Sequence, residues 1–136
     1  MRKIFLITCC LGLMFAALTY SPHVDATDTW IYTDSNGTKY FLRDYGIAAR
    51  SWCFATVVKV DRNDNATHLV YRLDSAGMGY YSVYLGTRPY DVFSRDARCI
   101  EKGKISGNVV ASIIWNDYVA PIDNERWARI RANEGR

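Results

Sequence analysis

Cys53 and Cys99 are the residues whose type could make a covalent link. Cys9 and Cys10 lie in the apolar start of the chain, so an exported product would retain only the later two. An even pair in an oxidising compartment predicts a Cys53–Cys99 disulfide. Closing that loop of about 47 residues would stabilise the fold by roughly 4 kcal/mol in the chain-entropy description. The two are not in a Cys-x-x-Cys spacing, which excludes a zinc knuckle and a thioredoxin-like site.

Other chemistry is thinly supplied. After the first 26 residues the chain has a single histidine, His68, so a histidine-based triad or multi-histidine metal centre has no basis. No Gly-rich phosphate loop or G-x-S-x-G elbow is present. Asp61, Asn63, Asp64 and Asn65 are oxygen-rich, but they lack the central glycine and closing glutamate of an EF-hand. A hairpin turn accounts for them. Paired carboxylates for glycosidase work would have to come from Asp44, Asp74, Asp91, Asp96 and Glu101, which read as surface charges. No catalytic residue, metal or cofactor is assigned.

The surplus is aromatic. Nine Tyr and four Trp follow residue 26. Tyr80, Tyr84 and Tyr90 with Arg88 form the candidate binding set, because exposed Tyr beside Arg is the composition of interface hot spots.

These residues need a scaffold, and its context comes first. Met1-Arg2-Lys3 is basic, Ile4 to Leu18 is nearly all apolar, and Val24-Asp25-Ala26 is a small-x-small site. That order predicts a cleaved signal peptide over 1–26, hence a secreted or periplasmic product. The run of about 15 is short for a membrane span of about 20. Residues 27–136 then form one domain, not embedded in a membrane. Losing Arg2, Lys3 and Asp25 moves the net charge from +3 to +2, too little for a nucleic-acid partner. The partner expected is an extracellular protein or glycan.

Alternation then predicts a mainly β domain of six to seven antiparallel strands, as a small sheet, sandwich or barrel. Trp30–Thr33 and Thr38–Arg43 flank Asn36-Gly37, a strong hairpin signal. Ser51–Val60 has two apolar faces, as a central strand does. Thr67–Leu73 and Tyr80–Leu85 alternate around a turn at Asp74-Ser75-Ala76-Gly77. Val92–Glu101 and Ile105–Trp115 read as further strands joined at Lys102-Gly103-Lys104. Asp123 reads as the cap of a short C-terminal helix over 124–133, stapled by Ile122 and Trp127 and packed on the sheet by Trp127 and Ile130.

Trp30-Ile31-Tyr32, Tyr40-Phe41-Leu42-Arg43-Asp44, the strand Ser51–Val60, Trp115 and Pro121-Ile122-Asp123 occur in an order that resembles small exported bacterial proteins of the surface-adhesin E family. The resemblance implies a small antiparallel sheet with a helix and, in some members, binding of host components. The C-terminal cysteine of that pattern is absent here, and no binding residue transfers. The expectation is an exported binding or adhesion module without catalysis. The alternatives are a small secreted hydrolase, an inhibitor of one, or a structural envelope protein.

Overall fold

The computed structural model describes residues 24–49, 52–74 and 79–135. The signal-peptide expectation over 1–26 lies outside these residues except for its last three. The turn predicted at 74–77 is likewise outside after Asp74.

Among the described residues, six strands follow one another in chain order. They are β1 (Thr29–Thr33), β2 (Lys39–Ala49), β3 (Trp52–Val60), β4 (Ala66–Asp74), β5 (Tyr80–Leu85) and β6 (Cys99–Lys104). Every neighbouring pair is antiparallel and the sheet order is β1-β2-β3-β4-β5-β6, an open meander. Its turns follow from side-chain chemistry. In the β1–β2 turn, the Asp34 carboxylate accepts the Asn36 and Thr38 N–H groups at 2.8 and 3.0 Å. Gly37 takes φ 82°, which costs glycine little. In the β3–β4 turn, Asp61 accepts N–H groups from Asn63 and Asn65 in the same way. These bonds hold Asp61 below its ordinary carboxylate pKa.

β3 is central and buries both faces, as its double apolar pattern requires. On one face Cys53, Ala55 and Val57 join Leu69, Leu73 and Val83 in the main core. That face is covered by a helical segment formed by α1 (Val109–Ile113), a wider π-type turn (Ile114–Val119) and α2 (Ala120–Glu134). Val110, Ala111, Ile114 and Val119 supply the covering side chains. On the other face a smaller cluster gathers Trp52, Val70 and Val92, with Phe54 and Tyr84 against it.

Three sequence expectations are corrected here. The run Ile105–Trp115 is not a strand. Asn108 ends it as an N-cap whose Oδ1 accepts the Ala111 N–H at 2.8 Å. Helical spacing then places Val110, Ala111 and Ile114 on one buried stripe. The strand expected at Val92–Glu101 begins only at Cys99, because Pro89–Phe93 forms a 3-10 turn. The supposed connector Lys102-Gly103-Lys104 is part of β6.

The helix is also longer than 124–133, and Asp123 does not cap it. Pro121 has no N–H for the carbonyl one turn back. The helix widens just before it, so that the Ala120 N–H reaches Trp115 O, and continues. Asp123 therefore lies inside α2, 3% exposed and 4.0 Å from Arg126. Burial raises its pKa against the opposing Arg126 charge and Trp127 hydrogen bond. Trp127 and Ile130 are only half-buried, and the residues ahead of Ala120 cover the sheet instead.

The Cys53–Cys99 disulfide is a further correction. Cys53 is on β3 and Cys99 on β6, with β4 and β5 between them. Three strand spacings put their backbones about 14 Å apart, whereas a bridge needs Cα atoms within about 7 Å. Cys53 is buried in the main core and Cys99 is exposed. In the purified protein, Cys99 is expected to react with a thiol reagent in the native state, Cys53 only on unfolding, and reductant to leave the melting temperature unchanged. Failure of both thiols to react with an alkylating reagent under denaturing, non-reducing conditions would contradict this.

Asn108 joins three elements. Its Nδ2 donates to Glu101 Oε1 at 2.8 Å, and the Tyr81 hydroxyl donates to the same oxygen at 2.5 Å. Burial and the Glu101 hydrogen bond raise the Tyr81 hydroxyl to about 12. Asn108→Ala removes the cap and the Glu101 contact together. Its expected cost is about 1 to 2 kcal/mol, read as a lower urea midpoint at unchanged slope.

Candidate functional site

The helical segment closes one face of the sheet; on the other, Val92 of the Pro89–Phe93 turn covers Trp52 and Val70, and the part beside Arg72, Ser82 and Lys102 stays accessible. Its side chains follow from the pairing. Phe54 is opposite Arg72, Arg72 opposite Ser82, and Ser82 opposite Lys102, so these four make one transverse row. The row on one side holds Val70 opposite Tyr84 and Tyr84 opposite Cys99. On the other side Trp52 is opposite Asp74, and Tyr80 is opposite Lys104.

A groove of about 800 Å³ opens over these rows, lined by Trp52, Arg72, Asp74, Tyr80, Ser82, Tyr84, Cys99 and Lys102, with Tyr81 and Gly103 at the β5–β6 side. Arg72 is held in place. Its guanidinium carbon lies 5.5 Å from the centres of both the Trp52 and Phe93 rings. Those two rings meet edge to face at 5.4 Å. Aromatic faces attract a cation, so the pair orients Arg72 without neutralising it.

Phe93 reaches this position because the 86–93 loop is fastened. The Asp91 carboxylate accepts the Thr87 and Arg88 N–H groups, each at 2.9 Å, which holds its pKa below the ordinary range. A Cβ on Gly86 would meet Asp91 Cβ and Oδ2 at 2.8 Å, so this close approach needs glycine. Val92 is buried beneath the loop against Trp52 and Val70.

The expected set is divided by this geometry. Tyr80 and Tyr84 line the groove, with Tyr80 49% exposed. Arg88 and Tyr90 are exposed on the loop and the 3-10 turn and do not line it. Trp52, Arg72, Ser82 and Lys102 were missed by sequence reasoning. Alternation identified Arg72 as outward-facing, but no local signal showed that four strands would align it with Ser82 and Lys102.

Among the described residues, the arrangement offers ring faces, two cations, a hydroxyl and one carboxylate, and no paired general acid and base. Of the five acids considered for hydrolysis, only Asp74 lines the groove. Glu101 is engaged with Tyr81 and Asn108, Asp91 with its own loop, and Asp44 accepts the Tyr45 N–H. His68 is half-buried on β4 opposite Val58. Among the described residues no three His, Cys, Asp or Glu side chains cluster as metal ligands would, and no helix is long and apolar enough to cross a membrane. No family model, curated protein or solved structure matches the chain.

Proposed function

We propose that the chain is an exported binding or adhesion module of the bacterial cell envelope or exterior, and that it binds through the open face of its sheet. The observation that carries the reading is the groove over β3–β6. There Tyr80 and Tyr84 stand beside an Arg72 already fixed between Trp52 and Phe93. A ligand meeting such a surface spends little conformational entropy on ordering it, and Tyr, Trp and Arg are the residues that dominate binding energies. The basic, apolar and small-residue order of the N-terminus supports export. The resemblance to surface-adhesin E proteins points to the same class.

The test compares the exported protein with its Tyr80→Ala, Tyr84→Ala double variant, each immobilised and exposed to cell-envelope and host-matrix fractions. Components retained by the parent are expected to be lost from the variant, with the far-ultraviolet circular dichroism unchanged. Equal retention by both proteins would remove the open face from the function.

A further inference from the structure

The row across the open face narrows the class of ligand. Adjacent strands are about 4.8 Å apart, so the Arg72 and Lys102 backbones stand about 10 Å apart with Ser82 midway. Along β5, Tyr80 and Tyr84 lie two residues to either side of Ser82, each about 7 Å away. The surface therefore presents a hydroxyl between two cations, flanked along the strand by two phenol rings. Arg72 is fixed by Trp52 and Phe93, and Tyr84 is packed against the Trp52–Val70–Val92 cluster. Among the described residues, the charged groups facing the groove are Arg72, Lys102 and Asp74, an excess of positive charge carrying one acceptor carboxylate.

An anion belongs over Ser82, the hydroxyl that the register sets between the two cationic residues. Ring-bearing groups belong on either side of it, over Tyr80 and Tyr84. Asp74 adds a further condition. A carboxylate in the groove accepts hydrogen bonds from hydroxyls, which a sugar ring carries and a phosphodiester link does not. The small net charge, +2 once residues 1–26 are removed, likewise argues against a phosphate backbone as the ligand. We propose that the groove binds an acidic oligosaccharide, with a uronate carboxylate over Ser82 between Arg72 and Lys102 and its neighbouring sugar rings on Tyr80 and Tyr84. This deepens the reading of the open face as a binding surface and rests on it.

Calorimetric titration of the exported protein with tetragalacturonate, its methyl ester and a thymidine oligonucleotide tests the assignment. Tetragalacturonate is expected to bind, more weakly as salt rises. Its methyl ester, lacking the charge, is expected to bind at least about tenfold more weakly, the scale of one lost charge-assisted hydrogen bond. Lys102→Ala and Tyr80→Ala, both at exposed positions, should each weaken tetragalacturonate by a similar factor with circular dichroism unchanged. Equal binding of ester and acid would overturn the assignment. So would binding of the oligonucleotide in preference to the uronate, or silence of tetragalacturonate. If the uronate is silent while Tyr80-dependent retention of envelope or matrix components persists, the sugar class is wrong and the open face stands. If that retention is absent too, both readings fall.

Discussion

Ile114→Ala is expected to destabilise the protein by about 3 to 4 kcal/mol, the largest effect of any single truncation considered for this chain. Ile114 is 0% exposed and lies where the helical segment crosses the sheet core, beside Val110, Ala111 and Val119. Removing its branch leaves a cavity between two layers that cannot both relax, because β3 is hydrogen-bonded on each side by β2 and β4. Against a total stability of about 5 to 15 kcal/mol, that loss should be plain in a urea transition as a lower midpoint at unchanged slope. Val109→Ala is the matched control. Val109 is five residues earlier and 54% exposed, so its truncation should stay within about 0.5 kcal/mol. Similar losses for both variants would mean that Ile114 does not close the core.

In the chain that still carries Asp25, Asp28→Ala is expected to cost about 2 kcal/mol and to flatten the acid limb of the stability profile. The Asp28 side chain is fully covered. It accepts two hydrogen bonds from Arg43, at 3.0 and 2.9 Å, and the Asp25 N–H at 2.8 Å. Breaking a buried pair typically costs about 3 to 5 kcal/mol. Arg43 is 29% exposed and keeps a second contact with Asp25 at 3.4 Å, so water recovers part of that loss. Burial raises the Asp28 pKa, but the Arg43 hydrogen bond, the Asp25 N–H and the Arg43 charge outweigh it, and the net shift is below 3.8. A carboxylate whose folded pKa is depressed contributes its full stability above the unfolded value. That contribution fades as pH falls through the folded value. The parent should therefore lose this increment below about pH 3.8, while Asp28→Ala shows no such loss from this position. Parallel acid limbs in parent and variant would show that Asp28 contributes nothing through its charge.

The strands were legible where alternation and turn chemistry coincide. Asn36-Gly37 marked the first hairpin and Asp61–Asn65 the third turn. Tyr80–Leu85 was read with its observed ends. The C-terminal third was harder because Val109, Val110, Ile113 and Ile114 are β-branched and apolar, which suits a strand as readily as a buried helix. Asn108 decides between them as a cap, and a single asparagine after a glycine reads equally well as a turn. Reading Asp123 as a cap then drew the helix start too late, since the chain is already helical ahead of Pro121 and the π-type turn absorbs that proline.

The groove was half legible for a similar reason. Tyr80 and Tyr84 share a face by the two-residue period of one strand, a local property. Phe54, Arg72, Ser82 and Lys102 meet only through the registers of three successive pairings, which the sequence does not print. The disulfide failed on the same ground. Parity and compartment favoured it, but they say nothing of how many strands separate β3 from β6.

The most direct test of the open face is amide-shift mapping of the isotope-labelled protein titrated with tetragalacturonate. The shifts are predicted to concentrate at Arg72, Tyr80–Leu85 and Lys102, leaving Val110, Ala111 and Ile114 on the covered face unmoved. Shifts centred on the helical segment instead, with β5 unaffected, would contradict a binding surface on the open side of the sheet.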